Sequence, residues 1–106
     1  MRDALAAGPR SPEQTRLLVK HFLALLSERA PGASVEVRVP PYAAVQAVAG
    51  VRHTRGTPPA VVELDADTWI ALASGSLAWA DAEREGRFSA SGERADLSSL
   101  LPLESS

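Results

Sequence analysis

The residues with most chemical character lie in one short stretch, Arg52-His53-Thr54-Arg55-Gly56-Thr57-Pro58-Pro59. Two guanidinium groups, an imidazole and two hydroxyls at this density suit a phosphate or carboxylate held by charge-assisted hydrogen bonds. The same composition also makes an ordinary turn between strands, with its arginines paired to nearby acids. Arg52, His53 and Arg55 are therefore the candidate contacts for the polar head of a ligand. Asp65 and Asp67 have the spacing of an acid–base pair, but a helix N-terminus at this point accounts for both charges. Asp81, Glu83 and Glu85 read as the solvated edge of a short helix. Ala73-Ser74-Gly75-Ser76 comes nearest to a serine nucleophile, yet it lacks the G-x-S-x-G elbow and reads as one helix ending and another starting. His21 and His53 are the only histidines, without the paired spacing of metal ligands. No glycine loop of the Walker or dinucleotide type is present. The sequence assigns no catalytic residue, no metal ligand and no cofactor.

Composition narrows the classes further. A chain of 106 residues fits one domain. It contains no cysteine, which excludes disulfides and thiolate chemistry. A formal net charge of −2 argues against coating of nucleic acid. No stretch approaches the ~20 apolar residues of a membrane span, so stable membrane insertion is not expected. The first ten residues lack the apolar run of a secretory signal, and a cytoplasmic protein is expected. Aromatic residues make up 5%, whereas alanine occurs nineteen times and arginine outnumbers lysine ten to one. Such a bias fits a GC-rich coding sequence, and small side chains can also leave internal space.

The elements that would position these residues are legible from caps and periodicity. Residues 1–10 form a loose lead-in. Ser11-Pro12-Glu13-Gln14 is a helix start with a capping box, after which Leu18, Phe22, Leu25 and Leu26 share one face. Pro31-Gly32 ends it. Val35-Glu36-Val37-Arg38-Val39 alternates as a half-buried strand, stopped by Pro40-Pro41. Tyr42 to Ala49 is a second apolar run, expected as its antiparallel neighbour. Ala60 to Leu64 is a third strand. Asp65 or Asp67 caps a helix through Ser74, with Gly75 at its C-terminus. Ser76 is expected to cap a further helix carrying Leu77, Trp79, Ala80 and Ala82. Arg87 to Ser91 alternates again, and Arg94 to Leu101 reads as a weaker helix or turn stopped by Pro102. These elements make a single α+β layer structure over 11–103, with a tail at 104–106.

The run Ala60-Val61-Val62-Glu63-Leu64, Asp67 to Gly75, Trp79-Ala80-Asp81-Ala82 and Gly86 to Gly92 resembles the sterol carrier protein domain. With VEVRVPPYAAVQAV, RHTRGTPP and SGERADLSSLLPL, residues 12 to 103 are similar to its stand-alone bacterial branch. The resemblance implies an α+β fold with about five strands in a mostly antiparallel sheet, helices packed on one face and an apolar cavity between the layers. It implies binding or carriage of a fatty acyl chain or other lipid without catalysis. The short C-terminal helix departs from the family pattern and points away from a sterol. Relatives fused to enzymes imply an alternative, an accessory subunit without a cavity, and a protein partner or homodimer fits either reading.

The expected cavity walls are Val45 and Val62 from the sheet, Trp69, Leu72 and Trp79 from the paired helices, Phe88 from the late strand, and Leu97 and Leu100 from the end. An empty apolar space of ~300 Å³ would cost ~7 kcal/mol at ~24 cal/mol per Å³, which rivals the ~5–15 kcal/mol stability of a small domain. Such a space has to be occupied, wet or collapsed.

Overall fold

The computed structural model describes residues 10–49, 60–91 and 96–103. Its first helix, α1 (Pro12–Arg29), begins with the expected capping box: the Gln14 N–H donates to Ser11 Oγ at 3.1 Å, and the Ser11 N–H donates to Gln14 Oε1 at 3.0 Å. Pro12 has no N–H, so two of the three otherwise unpaired N–H groups at the helix start are thus satisfied locally. The buried face is wider than the predicted stripe, since Val19 and Leu23 join Leu18, Phe22 and Leu26 while Leu25 is only half-buried.

Four strands form where extended segments are expected: β1 (Val35–Val39), β2 (Ala43–Ala47), β3 (Ala60–Leu64) and, after the helices, β4 (Phe88–Ser91). The order across the sheet is β2-β1-β3-β4, with β1–β2 and β3–β4 antiparallel and β1–β3 parallel. The expectation of about five strands is corrected to four among the described residues. The fifth came from the resemblance alone, and only four described segments carry period-two patterning. Register places Val45, Val37, Val62 and Ala90 in one row across the inner face. Val37 and Val62 are fully buried, Val45 is half-buried and Ala90 is exposed, so the helical layer covers the middle of the sheet. Glu36, Arg38, Gln46, Glu63, Ser89 and Ser91 occupy the other face, where Arg38 pairs with Glu36. One face is oily and the other wet, as an antiparallel edge on a small sheet permits.

Gly32 joins α1 to this sheet. A Cβ there would lie 2.4 Å from the backbone of Val48 and Ala49, and its φ of +148° is also unfavourable for other residues, so glycine is required. Ala30 and Ser34 flank it and bond the same segment: the Val48 N–H donates to the Ala30 carbonyl, and the Ser34 N–H donates to the Val48 carbonyl at 3.0 Å.

Asp65 is the cap of α2 (Ala66–Ser74), its carboxylate accepting from the Thr68 N–H at 2.7 Å, and Gly75 closes the helix with φ +90°. The next helix differs from expectation. α3 (Trp79–Arg84) has Ala78 at its N-cap without a side-chain bond, and Ser76 does not cap it. Residues 75–77 instead finish α2. The Gly75 and Leu77 N–H groups both donate to the Ala71 carbonyl at 3.1 Å, and Ser76 Oγ donates there at 3.4 Å. The final stretch is a turn at 98–100 within the described segment 96–103, not a helix.

Candidate functional site

The space anticipated between Trp69 and the valine face is core. Trp69 is fully buried, and its indole N–H donates to the Val19 carbonyl of α1 at 3.3 Å. It belongs to one continuous cluster with Phe22, Val37, Val62, Leu72 and Leu97. A buried indole needs such a partner, and this bond ties α2 to α1.

An apolar recess lies instead at the C-terminal end of α2, where α3 begins and the segment 96–103 passes. Leu72, Gly75, Leu77, Ala78, Trp79, Ala80, Ser98, Leu101 and Pro102 line about 350 Å³. Of the predicted wall residues, Leu72 and Trp79 meet there. Phe88 lies behind Trp79, the two rings 4.2 Å apart between centroids and tilted by 31°. Phe88 itself faces a separate, more open hollow with Glu63, Leu64 and Arg87. Leu97 is buried in the core and Leu100 is half-buried beside it. Val45 is on β2, three strand spacings or roughly 14 Å from β4. The predicted residues therefore do not form one compact surface. Arg52, His53 and Arg55 lie outside the described residues.

Sequence reasoning missed Leu77, Leu101, Gly75 and Pro102 as neighbours of this space. Periodicity alone puts Leu77 on a helix face, and it leaves that face because the chain is still closing α2. Leu101 rather than Leu97 reaches the recess because a turn, not a helix, separates them: the Leu100 N–H donates to the Leu97 carbonyl at 2.9 Å. The Asp96 carboxylate accepts from the Ser98 N–H at 2.8 Å. That backbone bond, with a second from the Ser98 side chain, holds the Asp96 pKa below the usual carboxylate value.

A larger cleft of about 640 Å³ opens between the starts of α1 and α2, lined by Arg10, Pro12, Thr15, Pro40, Tyr42, Asp65, Ala66 and Asp67. Its charged groups are largely engaged: Arg10 bridges through Nη2 to Asp67 at 2.7 Å, with only its buried Nε unpaired, and Asp65 caps α2. Two carboxylates against one guanidinium leave little attraction for an anion, and the rim is too polar for a hydrocarbon. The smaller recess is the better candidate for an apolar ligand. Among the described residues no group of three or more histidines, acids or cysteines converges as a metal site. His21 packs edge-on against Phe22, with centroids 5.0 Å apart.

A one-sided mixed sheet, helices on its oily face and an apolar recess at the helix junction define a small α+β protein. The sequence model of the bacterial SCP ortholog family, SCP standing for sterol carrier protein, matches residues 11–103, and the chain belongs to that family. No curated protein matches the sequence. Among the described residues, no helix is long and apolar enough to cross a membrane.

Proposed function

We propose that the protein binds a single apolar chain in the recess beside Trp79 and carries it in the cytoplasm without chemical change. The recess carries this reading. Leu72, Leu77, Trp79 and Leu101 supply hydrocarbon walls, while Ser98 supplies a hydroxyl at the rim. Apolar walls with few polar groups are the usual form of a small-molecule site. Carriage rather than catalysis is supported by the carboxylates: Asp65, Asp67 and Asp81 are engaged with Thr68, Arg10 and Arg84.

The volume restricts the occupant. A cavity of roughly 150 Å³ holds benzene, about 25 Å³ per carbon. By that scale the recess of about 350 Å³ admits about 14 non-hydrogen atoms. A medium-length acyl chain fits, and the fused rings and tail of a sterol do not.

Titration calorimetry with saturated fatty acids of about 8 to 18 carbons tests the proposal. Each added methylene contributes about 0.8 kcal/mol while it enters the recess, close to fourfold in affinity. Affinity is expected to climb to about 12 carbons and then level off. Ala80→Leu, which places bulk at the recess, should lower affinity by about tenfold with little change in folding. Absence of heat across the series, or affinity rising unchecked to the longest chain, would overturn the assignment.

A further inference from the structure

One wall of the recess, formed by Ser98, Leu101 and Pro102, belongs to the segment 96–103 rather than to a helix or strand. Leu97 and Leu103 anchor this strap in the core at its two ends. The hydrogen bonds that tie it to the body, among the described residues, gather at one end. The Leu103 N–H donates to the Ala73 carbonyl of α2 at 2.9 Å. The Arg29 guanidinium, from the last turn of α1, donates through Nη2 to the Leu103 carbonyl at 2.8 Å and through Nη1 to the Pro102 carbonyl at 3.2 Å.

This arrangement has three physical consequences. A planar guanidinium presents two donors at a fixed spacing, so it can hold two successive carbonyls at once, which a lysine ammonium cannot do with the same geometry. Arg29 also spans from α1 to a wall of a recess whose other wall is α2 and α3, so its fork fixes the separation of elements that no strand pairing links. Pro102, one of the two residues clasped, meets α2 closely: a Cβ on Gly75 would lie 3.3 Å from the Pro102 Cβ. The lip of the recess between Gly75 and Pro102 is therefore set by where Arg29 holds the strap.

We propose that Arg29 is a positioning residue that controls how long an apolar chain stays in the recess, by clasping the strap that forms its outer wall. The role rests on the reading of the recess as the binding site. With the fork gone, the strap remains hinged at Leu103 and Leu97, the lip at Gly75 opens more often, and the ligand leaves faster.

The test uses the full chain with laurate as probe and compares wild type, Arg29→Met and Arg29→Lys. Methionine removes the donors, and lysine keeps the charge and the length of the stem. Two readouts are taken: hydrogen exchange of the Leu103 amide without ligand, and the release rate of laurate from loaded protein. Both variants should speed Leu103 exchange by about tenfold and laurate release by about fivefold, with the α1 core amides unchanged. Faster exchange with unchanged release would overturn the gating role. Wild-type behaviour of Arg29→Lys in both readouts would overturn the fork. Failure of laurate to bind wild type would remove the binding reading and the residence role with it. Leu103 exchange would then still show whether the clasp exists.

Discussion

The two tryptophans stand on the two helices that meet at one junction, Trp69 on α2 and Trp79 on α3, and do different work. Trp69 is enclosed on every side, its indole bonded to Val19, between α1 and the middle of the sheet. Trp79 is 8% exposed, its ring lies against Phe88, and it also lines the recess. The contrast shows where a small domain can keep unfilled space. The middle of the sheet, where Val37 and Val62 pair, is fully buried and has to be filled for the layers to cohere. The junction beyond α2 is enclosed by a short helix and a strap, and space left there does not weaken the contact between layers.

The sharpest difference is expected on truncation. Trp69→Ala should destabilise the fold by about 3–5 kcal/mol in urea unfolding, a large part of the total for a domain this small. Trp79→Ala should cost at least about 1 kcal/mol less, because Trp79 borders open space and keeps 8% exposure where Trp69 is fully enclosed. Equal losses would mean the recess is as tightly packed as the core. A smaller effect, of opposite sign, concerns the filled region. Thr68 is fully buried and its hydroxyl has no hydrogen-bond partner. Thr68→Val keeps the shape and removes the unsatisfied group, so the variant should gain about 1 kcal/mol. A drop in melting temperature would show that the hydroxyl is bonded after all.

The smallest effect belongs to the recess side and depends on pH. Asp96 has a lowered pKa in the folded protein because its carboxylate accepts hydrogen bonds from Ser98. Its contribution to stability is therefore present above the ordinary carboxylate value of about 3.9 and is lost as pH falls through the lowered one. The group is largely solvated, so the change is slight. Asp96→Asn should match wild type at low pH and fall just behind it near neutrality. A constant gap between the two unfolding curves at all pH values would remove the charge as the cause.

Much of the frame was readable in the chain because local rules and the fold agree. Ser11 with Gln14 and Asp65 with Gly75 mark helix ends whose bonds close within a few residues, and the alternation at 35–39 and 87–91 and the short apolar runs between them mark the four strands. The site was less readable because its determinants are either non-local or compete with one another. Ser76 has the chemistry of a cap, yet its hydroxyl bonds backward to the Ala71 carbonyl, which the Gly75 and Leu77 N–H groups share as the chain closes α2. Leu97 and Leu101 are both apolar and close in sequence, and only the turn between them decides which one reaches the core. Arg29 lies more than seventy positions from the carbonyls it holds, and nothing in the spacing of a charged helix end announces that contact.

The placement of the indoles also makes the protein its own optical instrument. The only two tryptophans in the chain stand in unlike surroundings, one dry and fixed, the other stacked on a phenylalanine at the edge of the recess. Emission from Trp69 should stay constant while the fold is intact and thus act as an internal reference. Light from Trp79 should shift in colour and intensity whenever the space beside it fills, empties or takes up water. An occupant without any chromophore can therefore be followed in unlabelled protein, in the same cuvette that reports whether the domain is still folded.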